Sequence, residues 1–149
     1  MQIRAYSPDD AEEVSDMVIR NLLEVNAKDY SQALMSSLAS CFTPDAMTEG
    51  AREKEVFVGI EGGRIVATAA LVDGGWIHDV FVDPHWHGRG LGRTIMNHLE
   101  NLARNGGVRV VTLPSSITAV GFYTKLGYAK LREIESAEGL TEVLMEKRL

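Results

Sequence analysis

The chain predicts an α+β fold, and three features carry that expectation. Apolar residues first recur at helical spacing (Ala11, Val14, Val18, Leu22, Val25) and switch from Glu55 onward to the alternation of strands. The pairs Gly62-Gly63 and Gly74-Gly75 separate the alternating runs and mark tight turns of an antiparallel meander. Then the short apolar run Val80-Phe81-Val82 is stopped by Asp83-Pro84 and leads through His87-Gly88-Arg89-Gly90-Leu91-Gly92 into an amphipathic helix.

Each element follows from its residues. Met1–Tyr6 reads as a first strand, and Ser7-Pro8-Asp9-Asp10 as a helix start with Ser7 as cap and Pro8 in the first position. That helix runs to about Asn26. After the polar break Ala27-Lys28-Asp29, Tyr30–Phe42 reads as a second helix with Ala33, Leu34, Leu38 and Phe42 inward. Thr43-Pro44 opens a third, ending near Gly50. Strands follow at residues 55–60, 65–72 and 76–82. The helix after the glycines turns Leu91, Ile95, Leu99 and Leu102 inward, leaves His98 on its exposed side, and stops at Gly106-Gly107. Val108–Leu113 is a strand closed by Pro114, Ile117–Leu126 a short helix ended by Gly127, and Tyr128–Ile134 and Leu140–Lys147 the last two strands. The whole of 1–149 reads as one domain without repeats or linkers.

Composition limits the function. With 45% hydrophobic residues the chain is globular, and a net charge of −6 argues against a broad nucleic-acid footprint. The single cysteine, Cys41, forms no intramolecular disulfide, and its apolar setting LASCFTP predicts a buried thiol. The opening residues lack the apolar run of a signal peptide and nothing is long enough to span a membrane, so the expected compartment is the cytoplasm. His85 and His87 flank Trp86 with no Cys or carboxylate cluster beside them, so no metal site is expected.

Alternating glycines before a helix leave main-chain N–H groups uncovered at the positive end of the helix dipole, a site suited to phosphate. A dinucleotide fingerprint starting at Gly88 would need Gly where Arg93 stands, and no Gly-Lys-Ser/Thr triplet is present for a P-loop. A compact pyrophosphate, approached by backbone, fits this turn best.

Two stretches together resemble the GCN5-related N-acetyltransferase (GNAT) superfamily. One is VDP-xx-HGRGLG between strand and helix. The other is Ser116-Ile117-Thr118-Ala119-Val120-Gly121-Phe122-Tyr123-Thr124-Lys125-Leu126-Gly127-Tyr128. His87 stands where that family usually has Arg or Gln, and Ser116 where it usually has Asn. The resemblance covers essentially the full length. It implies a three-layer α/β arrangement: a mixed, mostly antiparallel, splayed sheet of about seven strands with helices on both faces. It also implies acetyl-CoA as co-substrate, with coenzyme A held by the main chain of Val80, Phe81 and Val82, by His87 through Gly92, and by Arg93, Ser116, Phe122 and Tyr123. No metal is implied.

The chemistry to be supplied is acetyl transfer to a primary amine of a small molecule or peptide, by direct attack in a ternary complex. Tyr123 matches the family's general acid, and a phenol is protonated and able to donate at neutral pH. For the base, strand alternation puts Trp76, His78, Val80 and Val82 on one face and Ile77, Asp79 and Phe81 on the other. His78 titrates near neutrality and is the first candidate, Asp79 the second. In this fold the acceptor pocket is walled by Val25–Tyr30 and Glu135–Leu140, which puts Asn26, Asp29, Tyr30 and Glu135 within reach of a cationic amine. Neither nucleic acid nor membrane is expected as a partner, and a second copy of the chain remains a candidate. The alternative function is a non-catalytic acyl-CoA sensor or adaptor on the same fold. A nucleotide-binding α/β domain stands third.

Overall fold

Local capping chemistry sets where the helices begin. The structure, a computed structural model, describes all 149 residues, Met1–Leu149. Strand β1 (Gln2–Ala5) leads to Ser7, whose N–H donates to Asp10 Oδ2 at 2.8 Å, while Arg4 holds both Asp10 oxygens at 2.7 and 2.8 Å. A single 3₁₀ turn, Pro8–Asp10, then passes into α1 (Ala11–Glu24). Ser31 accepts from the Leu34 N–H and caps α2 (Gln32–Ala39), and Thr43 accepts from the Ala46 N–H and caps α3 (Pro44–Gly50). The expected helix over 30–42 is therefore shorter, flanked by 3₁₀ turns at Asn26–Lys28 and Ser40–Phe42. Leu34, Leu38 and Phe42 pack inward as expected, around the buried Met35, while Ala33 falls on the opposite side of the helix and faces solvent.

Seven strands form one sheet in the order β1-β2-β3-β4-β5-β7-β6. The remaining strands are β2 (Glu55–Glu61), β3 (Arg64–Val72), β4 (Trp76–Val82), β5 (Val110–Ser116), β6 (Ala129–Glu135) and β7 (Thr141–Arg148). All neighbours are antiparallel except β4 and β5, which run parallel and meet only at Trp76 and Thr112. Pro114 lies inside β5 and does not close it. The Thr112 N–H reaches across to the Gly75 carbonyl at 3.0 Å, so alternation turns the N of residue 114 toward β4 as well. A donor is missing there, and the ladder to β7 is unaffected.

Two cores lie on opposite faces of the sheet. Helices α4 (Leu91–Asn105) and α5 (Val120–Lys125) cover one, and α1 to α3 the other. Neighbours Phe57 and Val58 in β2 serve one face each. The small side chains of Ala67 and Ala69 let Ile95, Met96 and Leu99 of α4 pack closely on β3. The buried stripe of α4 is Ile95, Leu99 and Ala103 with Met96. Leu102, expected inward, lies about a quarter-turn round and is exposed. His98, expected outward, is half-buried with its ring edge-on to Phe57 at 5.0 Å, because Phe57 at the core margin covers that flank. No helix is long and apolar enough to cross a membrane.

One polar knot ties α4 to the last strands. Buried Glu100 accepts from Tyr128 Oη at 2.9 Å and from Lys147 Nζ at 2.8 Å. Glu100→Ala strands both partners and is expected to destabilise the fold by about 2 kcal/mol in urea unfolding. Glu100→Gln, which keeps an acceptor for Tyr128, should lose less.

Candidate active site

The parting of β4 from β5 makes the site. Beyond Trp76 the edge of β4 has no strand partner on its β5 side. The Asp83 N–H bonds to the Val66 carbonyl of β3 at 2.8 Å, and alternation back from it turns Phe81 to β3 and Val80 and Val82 toward the gap. The Val82 carbonyl is taken there, by the Asn21 side-chain amide and by His87 Nε2 at 2.8 Å. His87 thus ties the glycine turn back to the strand. Val80 is left with main-chain N–H and C=O facing the gap.

A β-bulge re-aims the side chains. Ala70 lies opposite His78 and Thr68 opposite Phe81, so Ala69 faces both Asp79 and Val80, and Asp79 has φ +53°. Asp is among the few non-glycine residues that tolerate this conformation. The expected shared face of His78, Val80 and Val82 is therefore corrected. Ile77, Val80 and Val82 pack on the α4/α5 core, while Phe81 turns to the α1–α3 side and stacks edge-on to Phe42 at 5.5 Å. His78, next to Ile77, points to that same second side. The Asp79 carboxylate bonds Lys54 Nζ at 2.6 Å. Burial pushes the His78 imidazole below its ordinary value; the charge of Asp79 opposes this and that of Lys54 adds to it.

The gap opens into a cavity of about 1070 Å³ that runs from the glycine turn to the β6–β7 hairpin. At the turn, Gly88 (φ +77°) and Gly90 (φ +76°) adopt left-handed backbone, and a Cβ at either would meet nothing within 4 Å, so the mouth is open to main-chain approach. Gly92 serves packing instead, since a Cβ there would lie 2.9 Å from Phe122 Cζ. Arg93 lines the mouth. Arg89 stands outside it, its guanidinium 4.4 Å above the Trp86 ring.

Tyr123 borders the same cavity at only 6% exposure, edge-on to Phe122 and Tyr128. Its hydroxyl makes no hydrogen bond within the chain. Burial, and secondarily the charge of Asp79, holds the phenol well above its ordinary value, so it stays a proton donor. Ser116 reaches the wall too, but its Oγ accepts from the Ala119 N–H at 3.2 Å. Asn26 lines the cavity. Tyr30 does not: its hydroxyl donates to the Thr141 carbonyl at 2.6 Å and accepts from the Ile117 N–H at 2.9 Å. Asp29 and Glu135 are exposed outside the wall. Cys41, expected buried, is exposed at the far end of the cavity, because the neighbouring Phe42 takes the inward position of that turn. No group of three or more His, Cys, Asp or Glu side chains could hold a metal.

Sequence reasoning missed Glu142. It sits between the buried Leu140 and Leu144 at a spacing of two, and a carboxylate flanked by two leucines of the same row is the signal that would have found it. It lines the cavity half-buried. Burial pushes its carboxyl up to about 7, aided by Glu138 and Asp79.

A family model for the acetyltransferase (GNAT) domain matches residues 26–149. The chain belongs to that family. It is 37% identical over 84 residues to the glucosamine 6-phosphate N-acetyltransferase of Trypanosoma brucei brucei, covering 50% of this chain and 57% of that one. A putative acetyltransferase of Bacillus subtilis is 37% identical over 40% of each chain. The chain thus spans roughly half the length of these curated relatives. A GCN5-related N-acetyltransferase from Rhodopseudomonas palustris, also described as a class-II aminotransferase, superposes with a TM-score of 0.94 at 25% identity, over 99% of this chain and 95% of that one. The PaiA N-acetyltransferase of Thermoplasma acidophilum, solved with coenzyme A, superposes at 0.81 with 15% identity, over 99% and 98%.

The open position of Cys41 has a direct consequence. In the native chain a disulfide reagent should titrate one thiol per chain without denaturant. Reaction only after unfolding would show that the cavity is closed at that end.

Proposed function

We propose that this chain is an acetyl-CoA-dependent N-acetyltransferase acting on a primary amine by direct attack in a ternary complex. The observation that carries the reading is the splay. One cavity joins the unpaired main chain of Val80, the open turn at Gly88 and Gly90, and the unpartnered hydroxyl of Tyr123. These groups fit coenzyme A. Val80 would pair with the pantetheine amides, and the N–H groups of Gly88 to Gly92, with Arg93, would hold the pyrophosphate. His87 would act indirectly, by fastening the turn to Val82, and Phe122 by packing under Gly92. Ser116 Oγ accepts the Ala119 N–H, which leaves its O–H free to donate to the cofactor.

Acetyl-CoA supplies an activated acetyl thioester. A new N–C bond forms as the C–S bond breaks, the amine loses a proton, and the thiolate gains one. His78 takes the amine proton, since burial favours its neutral, basic form. Tyr123 gives its proton to the departing sulfur. The same reading places the chain in the cytoplasm, where an exposed thiol stays reduced, and leaves a second copy of it as a possible partner to be sought.

The half-buried Glu142 supports a second candidate for the base, and pH separates the two. If His78 is the base, kcat/KM falls with acid only below the ordinary imidazole value of about 6.5. If Glu142 is the base, the fall is centred near 7. His78→Ala with less than about a threefold loss across the profile would sink the first assignment. Tyr123→Phe is expected to lower kcat about 100-fold while acetyl-CoA affinity holds. Acetyl-CoA binding with no thiol released by any amine would favour the sensor reading.

A further inference from the structure

Charge is divided along the cavity. Arg93 and Lys125, on α4 and α5, line the half next to the glycine turn. In the other half stand the carboxylates of Asp79, Glu138 and Glu142 and a single cation, Lys54, which is bound to Asp79 at 2.6 Å. Two carboxylates there are left without a counter-charge. The forces acting on Glu142 are burial, Glu138 and Asp79; no donor within the chain offsets them. Opposite lies an apolar wall from the α1–α3 layer and the bulged strand: Leu22, Val25, Met35, Leu38, Phe42 and Phe81. An independent feature points to a ligand at this place. The hydroxyl of Tyr123, on a side chain 6% exposed, opens into the same cavity without a partner and feels the same Asp79.

We propose that the acceptor is a primary amine on an apolar body that bears no anionic group, its ammonium received by Glu142 with Glu138 and its body laid on the Leu38–Phe42–Phe81 wall. Arriving cation and half-buried carboxylate stabilise each other as ions. The body gains from leaving water against a wall that offers few hydrogen bonds. A phosphate on the acceptor would meet unpaired carboxylates and no free cation, a repulsion that excludes it. The acceptor of the trypanosomal relative, glucosamine 6-phosphate by its name, is therefore predicted to be refused here.

This inference rests on the transferase reading, and the test separates the two. Thiol release from acetyl-CoA is measured at about pH 8, where Glu142 is ionised, with phenethylamine, glucosamine and glucosamine 6-phosphate. Phenethylamine should lead glucosamine about tenfold in kcat/KM, and glucosamine should lead its phosphate about tenfold again. Glu142→Gln, nearly isosteric on a half-exposed site, should raise the phenethylamine KM about tenfold and leave the acetyl-CoA dissociation constant unchanged. Turnover of glucosamine 6-phosphate at or above that of phenethylamine overturns the acceptor class and leaves the transferase standing. If no amine releases thiol, the transferase reading fails, and equilibrium dialysis of phenethylamine against the coenzyme A-loaded chain decides the rest. Retention that Glu142→Gln abolishes upholds the acceptor class, and no retention overturns it.

Discussion

The structure depends on a sheet that is closed at one end of a strand pair and open at the other. At Trp76 and Thr112 the parallel strands β4 and β5 meet, and beyond that point Pro114 offers no N–H on the side where β4 would have to be paired. The strands separate, and unpaired main chain, normally too costly to leave dry, faces a cavity that a ligand can fill. Part of the exposed edge is already satisfied inside the protein, because Asn21 and His87 both bond the Val82 carbonyl. That leaves the edge near Val80 as the segment held open for a partner.

The bulge at Asp79 gives this edge its chemistry. One extra residue in β4 sends Val80 and Val82 into the α4/α5 core and turns His78 and Phe81 toward the α1–α3 layer. Main chain and side chains of one strand are thereby assigned to different tasks. The main chain of Val80 faces the gap, and the side chains of His78 and Phe81 line the cavity on the α1–α3 side. Asp79 takes the left-handed backbone and uses its carboxylate on Lys54, so the strained residue also neutralises the one cation near that wall.

Stability is given up at the same place. The Glu142 carboxyl is raised in the folded chain from the ordinary 4.5 to about 7. A group raised in this way contributes its full share of stability below its unfolded value, and loses it as pH rises through about 7. Near neutrality and above, the fold therefore carries an ionised carboxylate that burial and two like charges disfavour. Glu100, equally an acid near the sheet, is instead supplied with Tyr128 and Lys147. The contrast between a buried, partnered acid and a half-buried, unpartnered one distinguishes a structural carboxylate from one that awaits a cation.

Local chemistry in the chain was enough for the element order, the double-glycine turns, the Thr43-Pro44 helix start and the glycine turn before α4. Each of these rests on neighbours within a few residues: a cap, a fixed proline φ, a left-handed glycine. The family was legible for the same reason, since its two motifs are contiguous. What the sequence could not decide were facts of phase and distance. Met35 rather than Ala33 completed the α2 stripe, the bulge moved His78 to the other face, and Phe42 left Cys41 exposed where the apolar pattern had implied burial. Glu142 became a candidate site residue because the folded chain sets it in the cavity wall and couples it to Asp79 of the distant β4, whereas Glu138 is a neighbour within its own hairpin. Periodicity records which residues share a face until one residue is inserted. Charge coupling across a cavity has no local record, and only the tertiary structure decided it.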